Sequence, residues 1–135
     1  MNTSQLLAST MLAAGGALYN GGTLVFYSGT QPTTPEAALS GNTALCTFNF
    51  SATAFAAPTF STPNEQMVAS FTSTSATPAA TGTVSFARAW ESNGTTAIAD
   101  YTVGLTGTDI TIGNTGIQIG VPVTLSSFTQ KLPAV

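Results

Sequence analysis

GTVSFARAWESNGTTAIADYTVG, residues 82–104, decides how this chain folds. Two runs rich in Val, Phe, Trp, Ile and Tyr flank ESNGTT, and both carry the period-two alternation of strands. Asn93-Gly94 between them is the favoured dipeptide of a two-residue type I′ hairpin, because both residues tolerate the positive φ that this turn requires. The spacing therefore predicts two antiparallel neighbours, 82–91 and 97–103. In the first of them Val84, Phe86, Arg88 and Trp90 fall on one face. A guanidinium then projects from a side that otherwise reads as core.

Outward from the hairpin the pattern stays β. Short runs of β-branched and aromatic residues recur between Gly, Pro, Asn and Ser clusters, at the 8 to 12 residue spacing of a sandwich or barrel. The expected strands are 23–28, 45–50, 66–72, 82–91, 97–103, 109–112, 117–119 and 121–128. About eight strands suit an all-β fold, a jelly-roll-like antiparallel β-sandwich. In 45–50 the residues Cys46, Phe48 and Phe50 share a face opposite Thr47 and Asn49, so the apolar trio points inward. Segments 29–43 and 51–63 hold Pro32, Pro35, Pro58 and Pro63 and are expected to be ordered, irregular loops. The tract 73–83, STSATPAATGT, reads as a long exposed connection inside one domain.

Before the first strand, LLASTMLAAGGAL (6–18) has the length of a secretory apolar region, but no Lys or Arg precedes it. It reads instead as a short amphipathic helix in which Leu7, Met11, Ala14 and Leu18 recur at helical spacing, with Thr3 or Ser4 as N-cap. Gly15 and Gly16 are expected to weaken it or end it early. The organisation that results is an N-terminal helix or arm, 1–20, and a single β-sandwich domain, 21–135.

Composition restricts the chemistry. Charged residues are 5% of the 135, against about a quarter in ordinary soluble domains, while apolar residues reach 43%. The polar surface must then come from Thr, Ser, Asn and Gln, which do little to keep neighbouring molecules apart. The net charge is −3, and Arg88 and Lys131 are the only cations. Nucleic-acid binding, which neutralises many phosphates, is not expected, and neither is a polybasic membrane footprint or a membrane span. A single cysteine, Cys46, excludes an internal disulfide and a cysteine-based zinc site, and its alternating setting reads as a buried thiol.

An enzyme is not expected either. The chain has no histidine, so Ser-His and Cys-His nucleophile systems are excluded. A pair of carboxylates can hydrolyse a glycosidic bond, and Glu91 and Asp100 flank the hairpin. Hairpin geometry makes them ordinary solvated residues near a turn. No cofactor and no metal cage is expected, for want of a P-loop or an Asp-x-Asp cluster. Arg88 has two readings: an arginine at the sheet margin with its stem on Trp90, or an interface anchor. Trp90 and Tyr101 count as core before they count as ligand-stacking aromatics.

GGTLVFYSGTQPTTPEAALSG (21–41), the alternating ALCTFNF, the hairpin already quoted and a final VPVTLSSFT together resemble the small virion proteins of tailed bacteriophages, in which a short helix precedes a GGTLxxYSGTxP-type strand and turn. Gly22, Tyr27, Gly29, Pro32, Trp90 and Gly94 match that pattern as structural positions. The resemblance implies a jelly-roll-like decoration, or cement, protein on the outer surface of an HK97-like phage capsid, hence a virion location. Its implied partners are the major capsid protein and further copies of itself, as a homo-oligomer (dimer or trimer), with no catalytic residues. The expected contact residues are Leu7, Met11 and Leu18 on the helix, Gln31, Pro32 and Pro35 on the loop, and Arg88. A tail or head fibre module that binds a receptor is the alternative, and a carbohydrate-acting enzyme a more distant one.

Overall fold

The computed structural model of the chain describes residues 3–125 and 127–133. Positions 1, 2, 126, 134 and 135, parts of the expected arm, last strand and domain end, lie outside the described residues. Ser4 caps the helix α1 (Gln5–Ala17), its hydroxyl accepting from the Leu7 amide at 3.1 Å. The strands are β1 (Thr23–Tyr27), β2 (Ala44–Phe55), β3 (Thr59–Ser61), β4 (Asn64–Phe71), β5 (Ser75–Ala76), β6 (Gly82–Thr83), β7 (Phe86–Trp90), β8 (Ala97–Gly104), β9 (Ile110–Thr111), β10 (Gly116–Ile117), β11 (Val123–Thr124) and β12 (Thr129–Pro133). The expected all-β sandwich with a short N-terminal helix is present.

One large sheet runs in the order β12-β4-β2-β1-β7-β8-β9, with β3 paired to β4. Every pairing in it is antiparallel except β8 with β9. The sheet curls, as the normal twist of strands allows, so that β12 at one edge comes within reach of β8. There the Tyr101 hydroxyl donates to Gln130 Oε1 at 2.8 Å. The small ladders β6–β10 and β5–β11 form part of the opposing layer. Between the layers lie Leu24, Phe26, Cys46, Phe48 and Phe50, together with Ile110, Ile117, Leu125 and Phe128. Cys46, Phe48 and Phe50 are all buried, as the alternation of 45–50 requires.

The helix departs from the expected reading at its glycines, and the structure adds which side packs on the sheet. Its buried stripe is Ala8, Leu12 and Gly16, whereas Leu7, Met11 and Leu18 stay 45%, 48% and 51% exposed. The glycines do not end it early. A Cβ on Gly16 would sit 3.1 Å from the Met67 sulfur and 3.5 Å from Phe55 Cβ, so this glycine lets the helix lie close on the sheet, at the helix-propensity cost of about 1 kcal/mol that glycine carries. Leu12 and Tyr19 thereby enter the main core.

Several strand boundaries also move. The expected strand 82–91 is two strands, β6 and β7, with a break at Val84 and Ser85. The break changes the side-chain phase: Val84 points into the main core, but from Phe86 onward it is Ala87 and Ala89 that do so, while Phe86, Arg88 and Trp90 occupy the other face. Segment 51–63 is largely strand, since β2 continues to Phe55 and β3 follows; pairing with β4 supplies the backbone partners that its prolines do not block. Tract 73–83 contains β5 and β6, and the Ala79 amide donates to Leu45 O at 2.9 Å, so it is folded back on the sandwich. Segment 29–43 remains an irregular loop. In the hairpin, β7 and β8 pair as expected, but only Gly94 has positive φ (+73°). The turn is therefore not type I′. It is a longer loop in which Asn93 Oδ1 accepts from the amides of Thr95 and Thr96.

Candidate interaction surface

Arg88 lies in the middle of β7 and faces Asp100 on β8. Both side chains are buried, 2% and 4% exposed, and they form a two-point ion pair: Nε to Oδ1 at 2.6 Å and Nη2 to Oδ2 at 2.9 Å. The rest of the guanidinium reads the loop above it, Nη1 donating to Ala37 O at 2.9 Å and Nη2 to Thr34 O at 3.3 Å. A buried cation needs this full set of partners. Hydrogen bonding to Asp100 raises the Arg88 pKa further above its usual range, against the opposing effect of burial. The Trp90 ring lies 5.7 Å from the guanidinium carbon, and its indole N–H donates to the Tyr27 hydroxyl at 3.2 Å.

Loop 29–43 is thus fastened onto the second face of the sheet along its whole length. Ser85 donates its hydroxyl to Gly29 O at 2.5 Å. Asn42 Nδ2 donates to Ser28 O and Thr30 O, and its Oδ1 accepts from the Ser40 amide. Leu39 packs with Val25, Tyr27, Phe86 and Trp90 beneath it. Gln31, Pro32 and Pro35, the expected contact residues of this loop, are half-buried. They present the outer side of a loop whose inner side is pinned. Arg88 is different: it is neither at the sheet margin nor exposed, and its role is to hold the loop. Its burial in a satisfied ion pair leaves it no free donor face for a partner.

The expected turn concealed this pair. A two-residue turn at Asn93-Gly94 sets Arg88 opposite Ala99, on the face away from Asp100. In the structure the register shifts by one residue between Ala89 and Trp90, and that irregularity brings Arg88 opposite Asp100. Asp100, one of the two acids flanking the turn, is thus bound to Arg88. Among the described residues no group of three or more His, Cys, Asp or Glu is placed to hold a metal ion, and no helix is long and apolar enough to cross a membrane.

The second exposed element is the helix. Leu7, Met11, Ala14 and Leu18 face outward on α1, Leu6 is 77% exposed beside them, and neither terminal turn carries a charge. The helix and the loop therefore each carry one group of the expected contact residues, and the two groups lie on separate parts of the fold. The surface around them is nearly free of charge. Arg88, Asp100 and Glu65 are buried, which leaves Glu36, Glu91, Asp109 and Lys131 over 7002 Å². Asp109 is further occupied locally, its Oδ2 accepting from the amide and the hydroxyl of Thr102.

No protein-family model, curated protein or solved structure matches this chain.

Proposed function

We propose that the protein is a structural component of a bacteriophage virion, a decoration or cement protein that lies on the outer surface of the capsid. The observation that carries this reading is the surface itself: apolar helix residues and a pinned, proline-rich loop set in a surface with four charged side chains. A neutral, rigid surface loses little solvation and little conformational freedom when it lies on another protein. A contact of ordinary size, roughly 800 Å² per partner, is modest for one copy. Repeated across a shell and linking neighbouring subunits, it resists opening through avidity. The loop supports this reading in a further way. Arg88 and Asp100 fix it from below, so its outer residues keep one shape before any partner arrives.

The copy number of the chain in purified particles, measured by quantitative mass spectrometry against the major capsid protein, tests the proposal. A ratio near one, or another value set by lattice symmetry, is the expected result. A ratio of a few per cent or less removes the cement reading and moves the protein to the tail or a fibre.

A further inference from the structure

We infer that α1 is a strap that opens from the sheet, about a hinge between Leu18 and Tyr19, while the β-sandwich stays folded. The first observation is a contrast in bonding. Among the described residues, no hydrogen bond or ion pair joins residues 4–18 to any strand; the bonds made by Leu7, Ala8, Ser9 and Thr10 all stay inside the helix and its cap. Immediately past the hinge the chain is fastened. Tyr19 is buried with its hydroxyl on that of Tyr101, Asn20 Oδ1 accepts from the Ala54 amide at 2.9 Å, and the Gly21 amide donates to Ser51 O at 3.1 Å. The step from unbonded to bonded chain sets the hinge.

The apolar contact that closes α1 is also narrow. Its buried stripe, Ala8, Leu12 and Gly16, contains one large side chain. Open grooves of about 200 Å³ and 240 Å³ flank the helix, and both reach the buried Met67 beneath Gly16. Little area is therefore removed from water, and stabilisation by burial scales with that area. Gly15 and Gly16 lower the helix propensity of the last turn as well.

Glu65 acts against closure. Ala13 borders Ala57 and Pro58 on one flank, and Met11 and Leu12 border Gln130 and Lys131 on the other. Toward its N-terminus α1 thus runs from Met67 to the end of the sheet where Glu65 pairs with Phe60 on β3 and Leu132 on β12. Glu65 shares the inner face of β4 with Met67, is 4% exposed, and has no hydrogen bond or ion pair among the described residues. Fully buried side-chain polar atoms among those residues all have partners, so the Glu65 carboxylate keeps its water through a narrow opening at the rim of the helix. Covering a carboxylate without a partner costs free energy that exposure returns. Opening α1 rehydrates Glu65 and uncovers Met67 and Phe55. A segment held by few apolar contacts and no cross-bonds is of the kind that opens well below the global transition. The 13-residue helix then moves as a lever about 20 Å long. The inference does not rest on the virion reading, and its test uses the isolated protein.

Native-state hydrogen exchange on the full-length chain tests it. Amides of α1 are expected to exchange at least about a hundredfold faster than those of β7 and β8, with little dependence on low urea because the opening exposes little surface. Glu65→Gln, which removes the charge and keeps the shape, is expected to slow exchange in α1 about fivefold or more. Leu12→Ala, which removes the one large anchor, is expected to speed it at least about tenfold and to leave β7 and β8 within about twofold of wild type. Wild-type α1 amides as slow as those of β7 and β8 overturn the inference. So does a Leu12→Ala chain in which all three elements speed up alike, since α1 then belongs to one cooperative unit with the sandwich. Exchange in α1 that is unchanged or faster in Glu65→Gln overturns the part assigned to the carboxylate.

Discussion

On one face of the central sheet Leu24, Phe26, Phe48 and Phe50 disappear into a continuous apolar core under the helix and the small ladders. On the other face Val25, Tyr27 and Phe86 meet a loop with no regular structure, and the contact is fixed by one guanidinium reading one carboxylate and two carbonyls. The first face is closed by area removed from water, which is additive and tolerant of small changes in shape. The second is closed by a few directional bonds in which each partner is needed to satisfy the others. A loop rich in Pro, Thr and Ala has little apolar surface to offer, so directional bonds are the means available to hold it. The helix buries small residues and leaves large ones outside, whereas the loop is bonded inside and neutral outside. Both expose surfaces suited to contact with protein.

The comparison breaks most sharply at Arg88. Arg88→Ala leaves Asp100 buried without its counter-ion, and breaking a buried pair in this way costs about 3–5 kcal/mol. Phe50→Ala, in the main core, is expected to cost a similar amount, about 3–5 kcal/mol, through the cavity it leaves. The two differ in what opens. The arginine variant should become cleavable by protease within 29–43 while the main core keeps its amide protection; the phenylalanine variant should lose protection throughout. Hydrogen exchange with limited proteolysis separates them. Arg88→Met combined with Asp100→Leu should recover most of the lost stability, because an apolar pair carries no desolvation penalty. A single Arg88→Ala variant that loses less than about 1 kcal/mol would refute the clamp.

Gly22 joins the two faces and gives the next effect. A Cβ at this position would stand 2.1 Å from the Trp90 carbonyl oxygen and 3.1 Å from that of Tyr19. Neither atom can swing away, as both belong to the backbone. Gly22→Ala must push β1 from β7 at the point where the strand begins, and a loss of about 3 kcal/mol, the upper part of the range for overpacking, is expected in urea unfolding. Gly94→Ala tests only the positive φ of the turn, with nothing within 4 Å of the new Cβ. It should cost less than Gly22→Ala.

Much of the first face was legible in the sequence, and little of the second. Alternation in ALCTFNF placed Cys46, Phe48 and Phe50 in the core because strand geometry leaves no other choice once one side is apolar. The hairpin pairing of β7 and β8 followed from the apolar runs around Asn93-Gly94. The phase of β7 did not, because the break at Val84 and Ser85 depends on tertiary bonds, Val84 N to Thr115 O and Ser85 N to Tyr27 O, that no local pattern announces. That slip put Val84 on the wrong face, whereas Phe86, Arg88 and Trp90 share one as expected. The buried stripe of α1 was not legible for a related reason: Ala8 and Gly16 bury a helix by being small, and small residues carry little weight in an apolar pattern. The short strands β3 and β5 have too few residues to show a period.

Asn42 sharpens the account of the loop at lower cost to the fold. Its side chain closes the loop base through Ser28 O, Thr30 O and the Ser40 amide. Asn42→Ala is expected to lose about 1 kcal/mol, the usual net worth of such hydrogen bonds where water can replace part of the set. Protease cleavage within 29–43 should rise, but less than in the Arg88 variant. Equal cleavage in the two variants would place the loop's anchor at its base instead of at Arg88.

The smallest effect at neutral pH belongs to the main core, where Tyr19 and Tyr101 meet through their hydroxyls at 2.5 Å. Burial raises the pKa of both phenols above their ordinary value of 10, and the neighbouring tyrosine raises Tyr101 further. The folded protein therefore keeps these protons at a pH where the unfolded chain releases them. The stabilisation is complete below pH 10 and is lost as pH rises above it, by up to about 1.4 kcal/mol per tyrosine for each further pH unit. Burial also raises the Cys46 thiol above its ordinary value of 9, so the decline should begin near pH 9 and steepen beyond 10. Cys46→Ala should remove the early part. Tyr101→Phe should reduce the later part without abolishing it, because burial raises Tyr19 and Tyr27 as well, while costing only about 1 kcal/mol at pH 7. Urea midpoints between pH 8 and 11 measure both. A midpoint that does not fall above pH 10 would mean that water reaches the Tyr19–Tyr101 pair, and that this end of the core opens as readily as the loop on the opposite face.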